Sequence, residues 1–156
     1  MRWPAGMEPQ NSTIHARNEI VIPAQPERVW RWLCRAARWP EWYDNCAWLR
    51  FRNSAGPDLA AGTAFVWKTF GVRVRSTVLT FEPNRELGWD AIAFGLRAYH
   101  GWLIEPQDNG CRVITEETQK GPLSRFGRWY LRRALLREHQ SWLESLSRVA
   151  QSGDPG

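Results

Sequence analysis

A chain of 156 residues and 18.2 kDa suits one domain with a sizeable core. Its composition, 43% hydrophobic and 24% charged, excludes a wholly disordered chain, and no run of about 18 apolar residues is present to span a membrane. The net charge of +5 comes without a nucleic-acid-binding motif, so it reads as a solvated basic surface and no nucleic-acid partner is expected.

Three cysteines, Cys34, Cys46 and Cys111, form no CxxC pair and are odd in number. They read as small buried hydrophobes in a reducing compartment, which places the protein in the cytoplasm. Residues 1–13 hold no apolar stretch to act as a signal core, and their Pro, Gly, Asn and Ser content predicts a flexible tail. Residues 14–150 read as the single domain, and the polar residues 151–156 as a frayed end.

In chain order, 14–22 alternates and stops at Pro23, which predicts a first strand. Pro26 suits the first turn of a helix, and Val29, Trp30, Leu33 and Ala37 recur at helical spacing, so an amphipathic helix is expected over 26–38. Pro40 interrupts it, and 41–46 is a short second helix or turn carrying Trp42 and Tyr43. A strand at 48–52 precedes a loop rich in Gly, Pro, Asn and Ala at 53–62. Consecutive strands follow at 63–70, 72–82, 86–94, 97–105 and 111–120, with breaks at Gly71, Pro83-Asn84, Gly95-Leu96 and 106–110. Such short connections predict antiparallel hairpins. Ser124 then caps a long helix to about Ala150, whose first turn Gly127 weakens. Leu131, Leu135, Trp142, Leu146 and Val149 form its stripe, Tyr130, Ala134 and Leu143 flank it, and His139 falls inside it. The order of elements is that of an α+β fold with a helix over one sheet face.

Several segments then resemble a known superfamily. They are a strand ending in Ile-Pro-Ala, Pro26-Glu27-Arg28-Val29-Trp30 opening a helix, and Trp39-Pro40-Glu41-Trp42. Phe81-Glu82-Pro83-Asn84-Arg85-Glu86-Leu87-Gly88-Trp89, His100-Gly101-Trp102-Leu103-Ile104-Glu105-Pro106 and Gly110-Cys111-Arg112-Val113 follow. In this order they are similar to the START-like, helix-grip (SRPBCC) proteins, in the polyketide cyclase/dehydrase and lipid-transport branch. The resemblance implies a curved antiparallel sheet wrapped around the C-terminal helix, two short helices after the first strand, and an apolar cavity between sheet and helix. It implies a hydrophobic, aromatic or polyketide-like small molecule as partner, and names no universal catalytic set.

Such a cavity would be lined by Trp67, Trp89 and Trp102 from the strands, by Trp42 and Tyr43 near an entrance, and by Tyr130, Leu135, His139 and Trp142 from the helix. Its eleven tryptophans give the chain an unusual supply of such rings, which must be buried, form a patch or line a cavity. The best polar constellation is His100 with Glu116 or Glu117: if the 106–110 loop closes a hairpin, His100 faces one of the two glutamates, and loop register decides which. A carboxylate there would orient the imidazole for acid–base work. His15, His100 and His139 are scattered, with no HxxH or HExxH spacing, so no metal is expected. No GxSxG, Walker or GxGxxG pattern is present, and no cofactor is expected.

Three functions remain. The first is a carrier or binding protein for a hydrophobic small molecule. The second is a cyclase or dehydratase using His100 in the same cavity. The third uses Arg125, Arg128, Arg132, Arg133 and Arg137 of the last helix, with Phe126 and Trp129, to contact a membrane or another protein; a solvated face partly paired with Glu138 and Glu144 is the simpler reading of those arginines.

Overall fold

The computed structural model describes all of residues 1–156. Seven antiparallel strands form one sheet in the order β1-β7-β6-β5-β4-β3-β2. They are β1 (Ile14–Ile22), β2 (Trp48–Phe51), β3 (Ala64–Thr69), β4 (Val72–Glu82), β5 (Glu86–Ala93), β6 (Leu96–Gln107) and β7 (Gly110–Lys120). From β2 to β7 each strand pairs with the next, and β1 closes the far edge on β7 with Ile14 opposite Gln119. The turns fall where Gly and Asn stood in the sequence. Phe70 and Gly71, both with positive φ (50° and 74°), join β3 to β4, the twist a two-residue hairpin needs. A bulge between Val78 and Thr80 on β4 adds local bend to the sheet.

Two helices, α1 (Pro26–Cys34) and α2 (Trp39–Trp42), cross between β1 and β2. The expected helix over 26–38 is shorter: it ends at Cys34, because Arg35 leaves helical geometry (ψ 63°), and one 3-10 turn then leads to Trp39. The C-terminal helix is also divided. A short α3 (Pro122–Phe126) ends at Gly127, and α4 (Arg128–Ser152) runs on from there. Ser124 does not cap; it lies inside α3, and its hydroxyl donates to the carbonyl of Gly121, the residue before that helix, at 2.8 Å. The helix-grip architecture expected from the resemblance is present, with α4 packed over β1 and β7 and against α1. No helix is long and apolar enough to cross a membrane.

Both ends of the chain are packed against the domain. Residues 1–13 lie over the sheet face opposite α4, where Met7 is buried, Trp3 meets the rings of Tyr99 and His15, and the Thr118 hydroxyl donates to the Met7 carbonyl at 2.8 Å. At the other end Asp154 accepts from Arg31 at 2.6 Å, and the Trp32 indole donates to the Gly153 carbonyl at 2.7 Å. Composition suggested loose tails; the anchors are single side chains distant in sequence, which composition does not reveal.

The core cluster joins α1 and α2 to the concave side of the sheet and to the second half of α4. Trp39, Trp89, Trp102 and Trp142 are fully buried in it. Trp39 sits at its centre, edge-on to Phe65, Trp67 and Trp142, with its indole donating to the Leu33 carbonyl at 3.0 Å. Cys34, Cys46 and Cys111 are buried free thiols in the same region.

Candidate functional site

A cavity of about 550 Å³ opens between the sheet and α4, and 16 of its 22 lining residues are hydrophobic. This volume lies within the range of small-molecule sites, about 300–1,000 Å³. The alternation of β3 to β7 directs Trp67, Val74, Trp89, Ala98 and His100 inward, and α4 adds Leu131, Leu135, His139 and Trp142 at helical spacing. Alanines at 91, 93, 98 and 134 keep the space open where a larger side chain would fill it. The mouth is marked by lining residues that are also exposed: Phe70 of the β3–β4 turn, Phe94 of the β5–β6 turn and Leu123 of α3.

The polar residues of the lining converge on one spot. The β6–β7 register places His100 opposite Glu117 and Gly101 opposite Glu116, which resolves the choice between the two glutamates. Glu117 turns inward, and Glu116 on the other face pairs with His15 at 2.6 Å and Arg17 at 3.7 Å. Oε2 of Glu117 lies 3.5 Å from Nδ1 of His100 and 3.3 Å from Nε2 of His139 on α4. The two imidazoles stack with centroids 4.6 Å apart. His100, Glu117 and His139 are 3%, 8% and 1% exposed, so this cluster is the shielded end of the cavity. One ligand-type atom from each of the three lies within 4.8 Å of the others.

Further bonds hold the three side chains. The Gln119 amide donates to Oε1 of Glu117 at 2.6 Å, leaving Oε2 to face the histidines. Nε2 of His100 lies 2.7 Å from the Thr115 hydroxyl, whose own proton goes to the Gly101 carbonyl at 3.4 Å. That network assigns the His100 proton to Nε2 and turns the Nδ1 lone pair toward Glu117. Burial, and then the neighbouring His139, hold His100 well below the usual imidazole pKa, so its ring is neutral. Nδ1 of His139 has no partner, and neither do the indole nitrogens of the lining residues Trp89 and Trp142. Tyr43 stacks on Trp142 at 4.1 Å, and burial raises its phenol well above the usual range.

The residues proposed from sequence therefore divide. Tyr43, Trp67, Trp89, Leu135, His139, Trp142, His100 and Glu117 come together around the cavity. Trp102 is wholly buried behind His100, stacked on it at 5.4 Å, and lies outside the lining. Trp42 is buried against Trp32 in the core rather than at an entrance. Tyr130 is 79% exposed, because the first turn of α4 stands clear of the sheet. Thr115 and Gln119 were not anticipated; they share the period-two face of β7 with Glu117, and that alternation was the available signal. The scattered histidines gave no metal-type spacing, yet the hairpin and α4 bring two of them to one carboxylate.

The profile of the polyketide cyclase / dehydrase and lipid transport family matches residues 13–151. Among solved structures, a hypothetical protein from Helicobacter pylori is 29% identical with a TM-score of 0.89, over 96% of this chain and 95% of that one. The di-domain ARO/CYC StfQ from the steffimycin biosynthetic pathway is 16% identical with a TM-score of 0.76, over 89% of this chain and 51% of that one. A protein from Thermus thermophilus is 20% identical with a TM-score of 0.72, over 88% of this chain and 97% of that one. At such identities the last two speak to the fold alone. No curated protein matches the chain.

Proposed function

We propose, from the premise that the chain belongs to the polyketide cyclase / dehydrase and lipid transport family, that it binds and carries a hydrophobic, largely aromatic small molecule carrying at least one oxygen substituent. The observation that supports this most is the cavity of about 550 Å³, apolar over most of its lining and polar only at its shielded end. Rings of Tyr43, Trp67, Trp89 and Trp142 offer faces and edges to an aromatic guest, and each Å² of apolar surface they cover contributes roughly 25 cal/mol. A ligand oxygen reaching the His100–Glu117–His139 cluster would fix its orientation. Native mass spectrometry of freshly purified protein, followed by denaturing extraction, should release one small molecule per chain. Absence of any retained compound, together with no saturable quenching of tryptophan fluorescence by polycyclic aromatic ketones or long-chain acyl probes, would remove the carrier reading.

A second reading is favoured by the cluster itself. A carboxylate between two imidazoles at the end of an apolar cavity suits proton removal and return on a bound poly-keto substrate, as in cyclisation with loss of water. Here His100 or His139 touches the substrate, and Glu117 positions the His139 ring through Nε2. The variants H100Q and H139Q should then bind an aromatic probe with near-unchanged affinity and lose turnover of a poly-β-keto thioester at least tenfold. Equal turnover in wild type and variants eliminates the catalytic role.

The mouth favours loading from a lipid surface. Phe94, Phe126 and Trp129 are 101%, 90% and 84% exposed, and Arg125, Arg128 and Arg133 on the same stretch have no acidic partner. Exposed rings among unpaired arginines match the interfacial region of an anionic bilayer. Flotation with phosphatidylglycerol vesicles should carry the protein upward, and F126S/W129S should abolish this; wild-type protein left at the bottom of the gradient discards the idea.

A further inference from the structure

The cluster at the shielded end of the cavity brings three ligand-type side chains together. Glu117 is 8% exposed and meets no lysine or arginine; its ionic neighbours are His100 and His139 alone. Gln119 satisfies Oε1, but Oε2 shares its space with Nδ1 of His100, and the Thr115–Gly101 bonds make that nitrogen an acceptor. Nδ1 of His100 and Oε2 of Glu117, 3.5 Å apart, turn toward one point, and Nε2 of His139 lies 3.3 Å from the same oxygen.

We propose that His100, Glu117 and His139 form a binding site for one divalent transition-metal ion of the zinc type, through Nδ1, Oε2 and Nε2. Ligands about 2.0–2.1 Å from a tetrahedral zinc are about 3.3–3.4 Å from one another. Oε2 of Glu117 is 3.3 Å from one imidazole nitrogen and 3.5 Å from the other, and the two nitrogens, within 4.8 Å, would be drawn together by the ion. Two imidazoles and a carboxylate suit zinc, cobalt or ferrous iron better than the hard cations calcium and magnesium, which take oxygen alone. Two of the three ligands also have outer partners that fix their direction: Thr115 holds His100 and Gln119 holds Glu117. His139 has none at Nδ1, which sets the expected affinity in the micromolar rather than the nanomolar range. Because all three residues line the cavity, the remaining coordination positions face the guest, where the ion would polarise a ligand carbonyl oxygen. The thiols do not compete, since burial raises Cys46 to about 12 and Cys111 to about 11, and Cys34 higher still. The site does not depend on what organic molecule the cavity carries.

The test uses the full chain, freed of metal by chelator and dialysis, and titrated with Co²⁺. One equivalent should bind, giving visible d–d bands of a low-symmetry nitrogen–oxygen site and quenching Trp89, Trp102 and Trp142, whose rings lie 5.0–6.2 Å from His100 or from one another. Zn²⁺ should displace it. E117Q and H139Q should weaken binding at least tenfold, and T115V about 10–100-fold by releasing His100. E116Q, on the opposite face, should bind as wild type. Circular dichroism confirms folding of each variant, and if E117Q fails to fold, H139Q and T115V decide. No saturable binding below millimolar Co²⁺ overturns the proposal. So does binding left unchanged in folded H139Q and T115V, or a thiolate charge-transfer band showing that the ion sits on cysteine.

Discussion

The two ends of the interior are made from the same residue types and have opposite outcomes. Beneath α1 and α2, Trp39 is ringed by Phe65, Trp67, Trp89 and Trp142, mostly in edge-to-face contact. Toward α3, the same sheet face and the same stripe of α4 enclose a cavity. Side-chain size and the covering elements account for the difference. The solid end has two helices over it and indoles at its centre; the hollow end has Ala91, Ala93, Ala98 and Ala134 on its walls and Leu123 of α3 at its rim. One stripe of α4 serves both: Leu131, Leu135 and His139 face the space, Leu143, Leu146 and Ala150 the packed core, and Trp142 stands at the boundary. Aromatic content alone thus does not distinguish a core from a binding site.

The contrast is put to its severest test by truncating one side chain at each end. Trp39→Ala should cost about 3–5 kcal/mol in urea unfolding, because close packing leaves the void unfilled. Leu131→Ala at the hollow end should cost less than about 1 kcal/mol, since its side chain is only half-buried beside existing space. Equal losses would mean that the cavity is filled by collapse in solution. Next in size is the converse experiment. Ala98→Leu with Ala134→Phe should lower the affinity for an aromatic probe at least tenfold while shifting stability by no more than about 1.5 kcal/mol. Unchanged affinity would place the guest elsewhere.

The thiols report the solid end through pH. Burial raises Cys46 to about 12 and Cys111 to about 11 from the ordinary 9.0. A group whose folded pKa is raised contributes stability that is whole below its unfolded pKa and is lost as pH rises toward the folded value. Stability should therefore fall between pH 9 and 11, as unfolded thiols ionise and folded ones do not, and Cys46→Ala should flatten that fall. An unchanged slope in the variant would assign the loss to other groups. Alkylation by iodoacetamide under mildly alkaline conditions should be slow in the native protein and reach all three cysteines on unfolding. The smallest effect is expected at the mouth. Phe94→Ser should alter stability by about 0.5 kcal/mol or less, because its ring is wholly exposed.

Much of this was legible in the residues. The strands at 14–22, 72–82 and 86–93 and the turns at Gly71, Asn84 and Gly95 follow from alternation and from left-handed backbone positions. The pairing of His100 with a glutamate was legible as an alternative between two residues, because a hairpin of uncertain loop length leaves register open by one. The two-residue turn at Asp108-Asn109 settles it on Glu117. Tyr130 and Trp42 were misplaced for one reason: periodicity gives the face of an element and does not tell whether anything stands opposite that face. The packed termini were illegible because Met7, Trp3 and Asp154 are anchored by residues about a hundred positions away.

Spacing along the chain was enough to establish the local order: which stretches alternate, where the backbone turns, and which stripe of the last helix is apolar. Those features depend on neighbours a few residues apart, so their physics is written in short windows. That the interior is solid at one end and open at the other, and that two histidines distant along the chain share one carboxylate, emerged only once the elements were assembled. Packing density and the convergence of polar groups are set by contacts between such distant elements, and no window along the sequence contains both partners.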